Sequence, residues 1–359
     1  MKQEHYSSAE VGAQARATVE RAIQRHIPGL SLPPDLTVEV GTTPRDVVYA
    51  RETLKLYHYR PLCDEIYRVP VLLVMSLVSR PYILDLAPGQ SLIEYLLLQG
   101  FDVYLIDWGT PRAEHRTLRL EDYILDFLPD CIRVIEEETR EHEVSLVGYC
   151  LGGLLAVLYA AVYPEKPLKN LACFTTPINS DGMSLYRTWT DPAHFDLDRL
   201  INTLGNIPPE LIDASMQVLR PFQKSAGQMK LLDNVEDDAF VKAHLRFERW
   251  ASDHIPFPGE TARQLVTAFL RENKLARNEF ILDRQRIDFG RIRVPFLHVT
   301  AEHDHIVPAA ASADLIKLVG SEDKTEIVLK GGHVSLVAGA NAVYRLWPKL
   351  DAWLSVRSV

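Results

Sequence analysis

The chain has 359 residues, of which 47% are apolar and 24% charged, the balance of an ordinary globular protein rather than a disordered one. Its 48 acidic residues outnumber 39 lysines and arginines for a formal charge of −9, which argues against nucleic acid as a partner because that demands a basic footprint. The four cysteines, Cys63, Cys131, Cys150 and Cys173, show no CxxC spacing, so they read as free thiols in a reducing cytoplasm rather than as a zinc or redox set.

The chain opens on MKQEHYSSAEVG, which lacks the apolar core of a secretory signal. Residues 1–40 carry AEVGAQARATVERAIQRHI, apolar at helical spacing, and then the proline-rich PGLSLPPDL; they predict a helical arm and a turn. Short runs rich in Val, Ile and Leu follow at 70–76 (PVLLVMS), 102–107 (DVYLID), 144–149 (VSLVGY), 171–176 (LACFTT), 295–301 (PFLHVTA) and 325–330 (TEIVLK). Continuous apolar strands of this kind belong to a parallel sheet covered by helices on both faces. GQSLIEYLLLQG, LEDYILDFLPDCIRVIEEET and LGGLLAVLYAAVYPE supply helices between them, so the fold class is α/β with a mostly parallel central sheet. The longest apolar stretches, VPVLLVMSLV and LLAVLYAAVY, have ten residues each. That is well short of the ~18 needed to cross a bilayer, and no membrane span is expected.

Between Thr176 and Pro295 the chain runs far beyond the dozen or more residues of an ordinary crossover. This stretch reads as mostly helical and is rich in aromatics, among them Tyr186, Trp189, Phe222, Trp250 and Phe257. The expected organisation is therefore an N-terminal arm (1–40), a core made of 41–177 and 291–359, and an inserted helical cap subdomain (178–290) over the carboxyl ends of the strands.

The chemistry concentrates at Gly148-Tyr149-Cys150-Leu151-Gly152, a G-x-C-x-G sequence that ends one strand and opens an apolar helix. This is the strand–turn–helix context of a nucleophile elbow, in which small residues on either side let the chain turn sharply and expose the nucleophile. The N-terminus of the next helix favours a thiolate, and the Leu151 N–H is placed to act as an oxyanion donor. A buried core cysteine beside a tight turn is the plainer reading, but three glycines around one thiol fill a core poorly. Such an elbow calls for an acid and then a histidine, each after a later strand. AEHDHIVP supplies Asp304 and KGGHVSLV supplies His333. His303 and His305 flank the acid and could suggest a metal site, yet no third cluster supports one. Asp107, at the end of another strand, reads as structural.

Sulfur in place of oxygen has a chemical motive. Exchange of a thiolate with a thioester yields another thioester of similar energy, so the acyl group stays activated for transfer to an alcohol. A serine would release that energy as an oxygen ester. A cysteine hydrolase could use the same three residues, so the argument favours acyl transfer without excluding hydrolysis.

From about Gly41 to Leu354 the chain resembles the polyhydroxyalkanoate synthases, specifically the short catalytic subunit of the two-component class III and class IV enzymes. The resemblance is carried by SRPYILDLAPGQSLIEYLLLQGFDVYLIDWGTP, LEDYI, GYCLGG, NTLGNIPPELID, FPGETARQ, DHIVP and GGHVSLV, in that order. It implies an α/β-hydrolase core with a cap. The substrate would be an (R)-3-hydroxyacyl-CoA, usually 3-hydroxybutyryl-CoA, converted to a growing polyester chain with no separate cofactor and no metal. Cys150 aligns with the nucleophile, His333 with its general base and Asp304 with the triad aspartate. SLVSRPY matches the family's oxyanion loop, which makes the Val78 N–H the partner of the Leu151 N–H. The resemblance further implies a second synthase subunit, is compatible with a homodimer, and places the protein in the cytoplasm at the surface of polyester granules. The alternative reading is a dienelactone-hydrolase-like cysteine enzyme of the same fold acting on thioesters or lactones; a non-catalytic granule-surface subunit fits an intact Cys-His-Asp set poorly.

Overall fold

The computed structural model describes residues 38–219 and 223–359, so the helical arm expected over 1–40 lies almost wholly outside the described residues. An eight-stranded sheet runs through the molecule in the order β1-β2-β4-β3-β5-β6-β9-β10. Its strands are β1 (Arg45–Arg51), β2 (Leu54–Tyr59), β3 (Val71–Val74), β4 (Val103–Asp107), β5 (Val144–Tyr149), β6 (Leu168–Phe174), β9 (Phe296–Ala301) and β10 (Lys324–Leu329). The short hairpin β7 (Ile281–Leu282) and β8 (Gln285–Arg286) stands apart. Along the sheet from β4 to β10 every pairing is parallel, whereas β1 joins β2 antiparallel and β2 joins β4 antiparallel. This is the α/β-hydrolase fold.

The inner parallel strands form where apolar residues predominate, because helices cover both faces, whereas the outer strand β10 keeps exposed positions along its length. Every residue of β3, β5 and β9 is buried. Burying a Val or Leu side chain stabilises by about 1.5–3 kcal/mol, so these runs drive the fold. The β1–β2 hairpin carries no such signature. RDVVYAR is half-buried to exposed along its length, as suits an outer strand, and it was not among the strands expected from apolar runs. The strand expected at 171–176 also differs: β6 starts at Leu168 and stops at Phe174, and Thr175 turns away after it although its N–H still donates to the Val299 carbonyl of β9 at 2.7 Å.

The α-helices that follow β3, β4 and β5 are α1 (Leu92–Leu98), α2 (Leu128–Thr139) and α3 (Leu151–Val162), and two short helices, Ala309–Ser312 and Leu315–Leu318, lie between β9 and β10. Ser91 caps α1, its hydroxyl accepting from the Glu94 N–H at 2.9 Å. α3 is apolar all round and buried from Gly152 to Ala161, as a helix wedged under the centre of a sheet must be. Between β6 and β9 come α4 (Ser184–Trp189), α5 (Leu197–Leu204), α6 (Pro209–Leu219), α7 (Gln223–Asp233), α8 (Asp238–Ala251) and α9 (Gly259–Gln264), which runs on into a π-helical stretch Leu265–Arg271. Among the described residues no helix is long and apolar enough to cross a membrane.

Candidate active site

Because β3, β5, β6, β9 and β10 are neighbours and run parallel, their carboxyl ends form one row. The residues just beyond those ends are Val78, Cys150, Thr175, Asp304 and His333. In open α/β sheets ligands bind at this edge.

Cys150 sits at the corner between β5 and α3 with φ of 57° and ψ of −122°, a backbone conformation that non-glycine residues rarely adopt. Strain of this kind costs on the order of 1–3 kcal/mol and persists only where the surroundings impose it. They do so here by close packing. A Cβ on Gly148 would stand 2.5 Å from the Gly153 Cα, and one on Gly152 would overlap the carbonyl oxygen of Val74. The glycine collar lets α3 press its first turn against the ends of β3 and β5. The Cys150 N–H donates to the Phe174 carbonyl at 2.9 Å, which holds the corner from the other side. Leu151 is the first residue of α3, and the first N–H groups of a helix have no partner within it.

His333 and Asp304 are in contact, His333 Nδ1 lying 2.7 Å from Asp304 Oδ2. Cys150, Asp304 and His333 are 8%, 5% and 8% exposed. The Asp304 carboxylate receives three further donors: the Thr175 hydroxyl at 2.6 Å on Oδ2, and the Ile306 and Val307 N–H groups at 2.9 and 2.8 Å on Oδ1. Burial alone would raise its pKa, but the His333 charge and these hydrogen bonds outweigh burial and hold it below the usual carboxylate range. For His333 burial acts downward, yet the Asp304 charge, then that of Cys150, and hydrogen bonds to both lift its pKa to about 10. The arrangement is a buried carboxylate fixing an imidazole through Nδ1, which leaves Nε2 for the reacting partner.

Two residues complete the site that sequence patterns did not single out. Thr175 adopts φ of 44° just after β6 and turns its hydroxyl onto Asp304. Tyr149, at a variable position of the elbow, donates from its phenol to the His333 carbonyl at 3.3 Å, with its ring 5.0 Å from the imidazole. The early release of Thr175 from an apolar run and the adjacency of Tyr149 to the cysteine were the only local hints. Of the other residues weighed from sequence, Asp107 closes the turn after β4 by accepting from the Gly109 N–H at 2.9 Å. His303 donates its backbone N–H to Gly331, and among the described residues no group of three or more metal-ligating side chains assembles. Val78 lies in the segment after β3, its carbonyl accepting from the Ile255 N–H at 3.3 Å.

Comparison with known proteins matches residues 80–340 to the alpha/beta hydrolase fold family and residues 35–96 to the N-terminus of poly-beta-hydroxybutyrate polymerase (PhaC). A soluble variant of monoglyceride lipase from Saccharomyces cerevisiae, solved with a substrate analogue, superposes with a TM-score of 0.53 over 92% of this chain and 100% of that one. At 14% identity this is a likeness of fold. The chain is 37% identical over 323 residues to the poly(3-hydroxyalkanoate) polymerase subunit PhaC of Haloferax mediterranei, and spans just under two thirds of that relative, 65% of its length against 89% of this chain. It is 35% identical over 324 residues to the subunit of the same name from Allochromatium vinosum, covering 90% of that protein and 89% of this one. With likeness at that level running through nearly the whole of both chains, this chain belongs to the poly(3-hydroxyalkanoate) polymerase family.

Proposed function

We propose that this chain polymerises an (R)-3-hydroxyacyl-CoA, with 3-hydroxybutyryl-CoA the first substrate to try, through a thioester on Cys150. What supports the reading is the strained glycine-collared cysteine together with the Asp304-held imidazole, whose pKa the Asp304 charge and then the Cys150 charge lift to about 10. In this scheme the Cys150 thiolate attacks the thioester carbonyl. The Leu151 and Val78 N–H groups receive the developing oxyanion, and the CoA thiolate leaves, taking its proton from His333. His333, oriented by Asp304, then removes the proton of the incoming 3-hydroxyl, whose oxygen attacks the acyl-cysteine. Each turn adds one ester bond and releases one CoA.

The helical region 178–290 acts in this reading as a cap that keeps water from the thioester. Tyr186 of α4 supports it: burial first, and then the Cys150 and Asp304 charges, push its phenol pKa up, so this residue of the region lies within electrostatic reach of both. The closeness to short PhaC subunits supports a two-component enzyme of the class III or class IV type, acting with a second subunit at the surface of cytoplasmic polyester granules.

The test is to add 3-hydroxybutyryl-CoA to the purified chain, with and without a candidate second subunit, and to follow CoA release and turbidity. Insoluble polymer is expected, weakly from the chain alone and strongly with the partner. Free 3-hydroxy acid without polymer would identify a cysteine hydrolase instead. Full activity of the isolated chain without a lag would contradict the two-component reading.

A further inference from the structure

The segment Leu77–Tyr82 leaves the sheet at the end of β3 and has irregular backbone up to the 3-10 turn Pro81–Leu84. Irregular backbone in a buried setting must find its hydrogen-bond partners elsewhere. Here they come from a stretch remote in sequence, at and just beyond the end of α8. The Ile255 N–H donates to the Val78 carbonyl at 3.3 Å, and Ser79 pairs with His254 in an antiparallel bridge. The Trp250 indole N–H donates to the Arg80 carbonyl at 2.9 Å. The two oxygens of Asp253 divide the rest, Oδ1 accepting from Arg80 Nε at 3.3 Å and Oδ2 from the Tyr82 phenol at 3.0 Å. Burial and the Asp253 charge push the Tyr82 pKa up, which keeps the phenol a donor. On the sheet side the Trp108 indole N–H holds the Met75 carbonyl at 2.8 Å.

The Val78 peptide is thus bracketed. Before it, Met75 is pinned to the sheet. After it, the carbonyls of Val78 and Arg80 are pinned by Ile255 and Trp250, and Pro81 confines Arg80 to an extended conformation, seen at φ −67° and ψ 140°. Among the described residues, the hydrogen bonds that reach the peptides from Val78 to Arg80 come from the stretch Trp250–Ile255 and not from the sheet. A movement of α8 away from the core breaks these bonds and frees the Val78 peptide to rotate.

We propose that Trp250–Ile255 is a latch, with Asp253 and Trp250 as positioning residues, that holds the Leu77–Tyr82 segment so that the Val78 N–H faces the reacting carbonyl oxygen only while α8 is docked. This rests on the polymerase reading of the site and deepens it. Seating the cap and forming the oxyanion hole become one event, so an open cap also lacks a competent catalytic centre and spares the acyl-enzyme from hydrolysis.

Two reactions of the same sulfur separate this role from general damage. Acylation of Cys150 by 3-hydroxybutyryl-CoA builds an oxyanion, whereas alkylation by iodoacetamide is a displacement at carbon and builds none. In full-length protein, Asp253→Asn and Trp250→Phe should each slow acylation of Cys150 about tenfold, a fraction of the ~10²–10³ that complete loss of an oxyanion donor costs. The rate and pH profile of Cys150 alkylation, followed by peptide mass spectrometry, should match wild type. Wild-type acylation rates in both variants would overturn the latch alone. So would acylation and alkylation falling together, which marks a merely structural role. A wild-type protein that is alkylated at Cys150 but never acylated would overturn the polymerase reading, and the latch with it.

Discussion

Asp304→Asn separates the two halves of the proposed cycle. The carboxylate now takes four donors: Thr175 and His333 on Oδ2, and the Ile306 and Val307 N–H groups on Oδ1. An asparagine can satisfy only one of these pairs with its carbonyl oxygen. If the oxygen stays with the two backbone N–H groups, the amide NH₂ faces His333 Nδ1 and forces that nitrogen to accept. The proton then moves to Nε2, the nitrogen needed to take one from the substrate, and the Asp304 charge that ranks first among the groups lifting the His333 pKa is gone. Loading of Cys150 tolerates this, since a thiol is acidic enough to need only modest help. Chain growth does not, because an alcohol is a far weaker acid. The expected result is an acyl-enzyme that still forms, with polymer formation down by roughly a hundredfold or more, the scale of lost general-base help. His333→Gln should impair both steps. Rapid-quench experiments with labelled 3-hydroxybutyryl-CoA, counting acyl-Cys150 and polymer separately, decide the matter. Equal loss of loading in both variants would refute the division of labour and leave Asp304 as an orienter of the histidine alone.

Cys150→Ala should abolish CoA release, and labelled substrate should mark Cys150 while leaving Cys131 and Cys173 untouched, since burial pushes both of those thiols up, Cys173 to about 12. Thr175→Val removes one donor to Asp304 and should cost about 1 kcal/mol in urea denaturation; it should also slow chain growth several-fold, and unchanged turnover would count against a positioning role. Gly152→Ala drives a methyl into the Val74 and Met75 carbonyls and should destabilise by about 3 kcal/mol, as overpacking does; an alanine variant as stable as wild type would contradict the close packing of α3 on β3. His333 has a folded pKa raised from 6.5 to about 10, so its contribution to stability is full below pH 6.5 and is lost as pH rises through 10. Denaturation midpoints measured from pH 6 to 10 should therefore fall more steeply for wild type than for His333→Gln.

Much of this molecule can be read along the chain. The central strands are legible because a strand buried on both faces must be mostly apolar, and DVYLID, VSLVGY and PFLHVTA are short, Val- and Leu-rich runs with few polar positions. The cysteine corner is legible because close backbone approach tolerates only glycine, and Gly148 and Gly152 lie on either side of it. The pairing of His333 with Asp304 follows from the order of elements, since each residue ends the strand or loop where a hydrolase-type sheet would present it. The β1–β2 hairpin escapes such a reading because its exposure mixes polar and apolar positions without an unbroken run. Thr175, Tyr149 and the Asp253 latch escape it for a different reason. Each acts through hydrogen bonds to residues far away in sequence: Thr175 to Asp304, Tyr149 to the His333 carbonyl, Asp253 to Arg80 and Tyr82. Periodicity and spacing encode which face of an element is buried, because burial is a property of the residue and its near neighbours. Which donor meets which acceptor depends on strand order and on how the intervening helices dock, and only the assembled chain decides that.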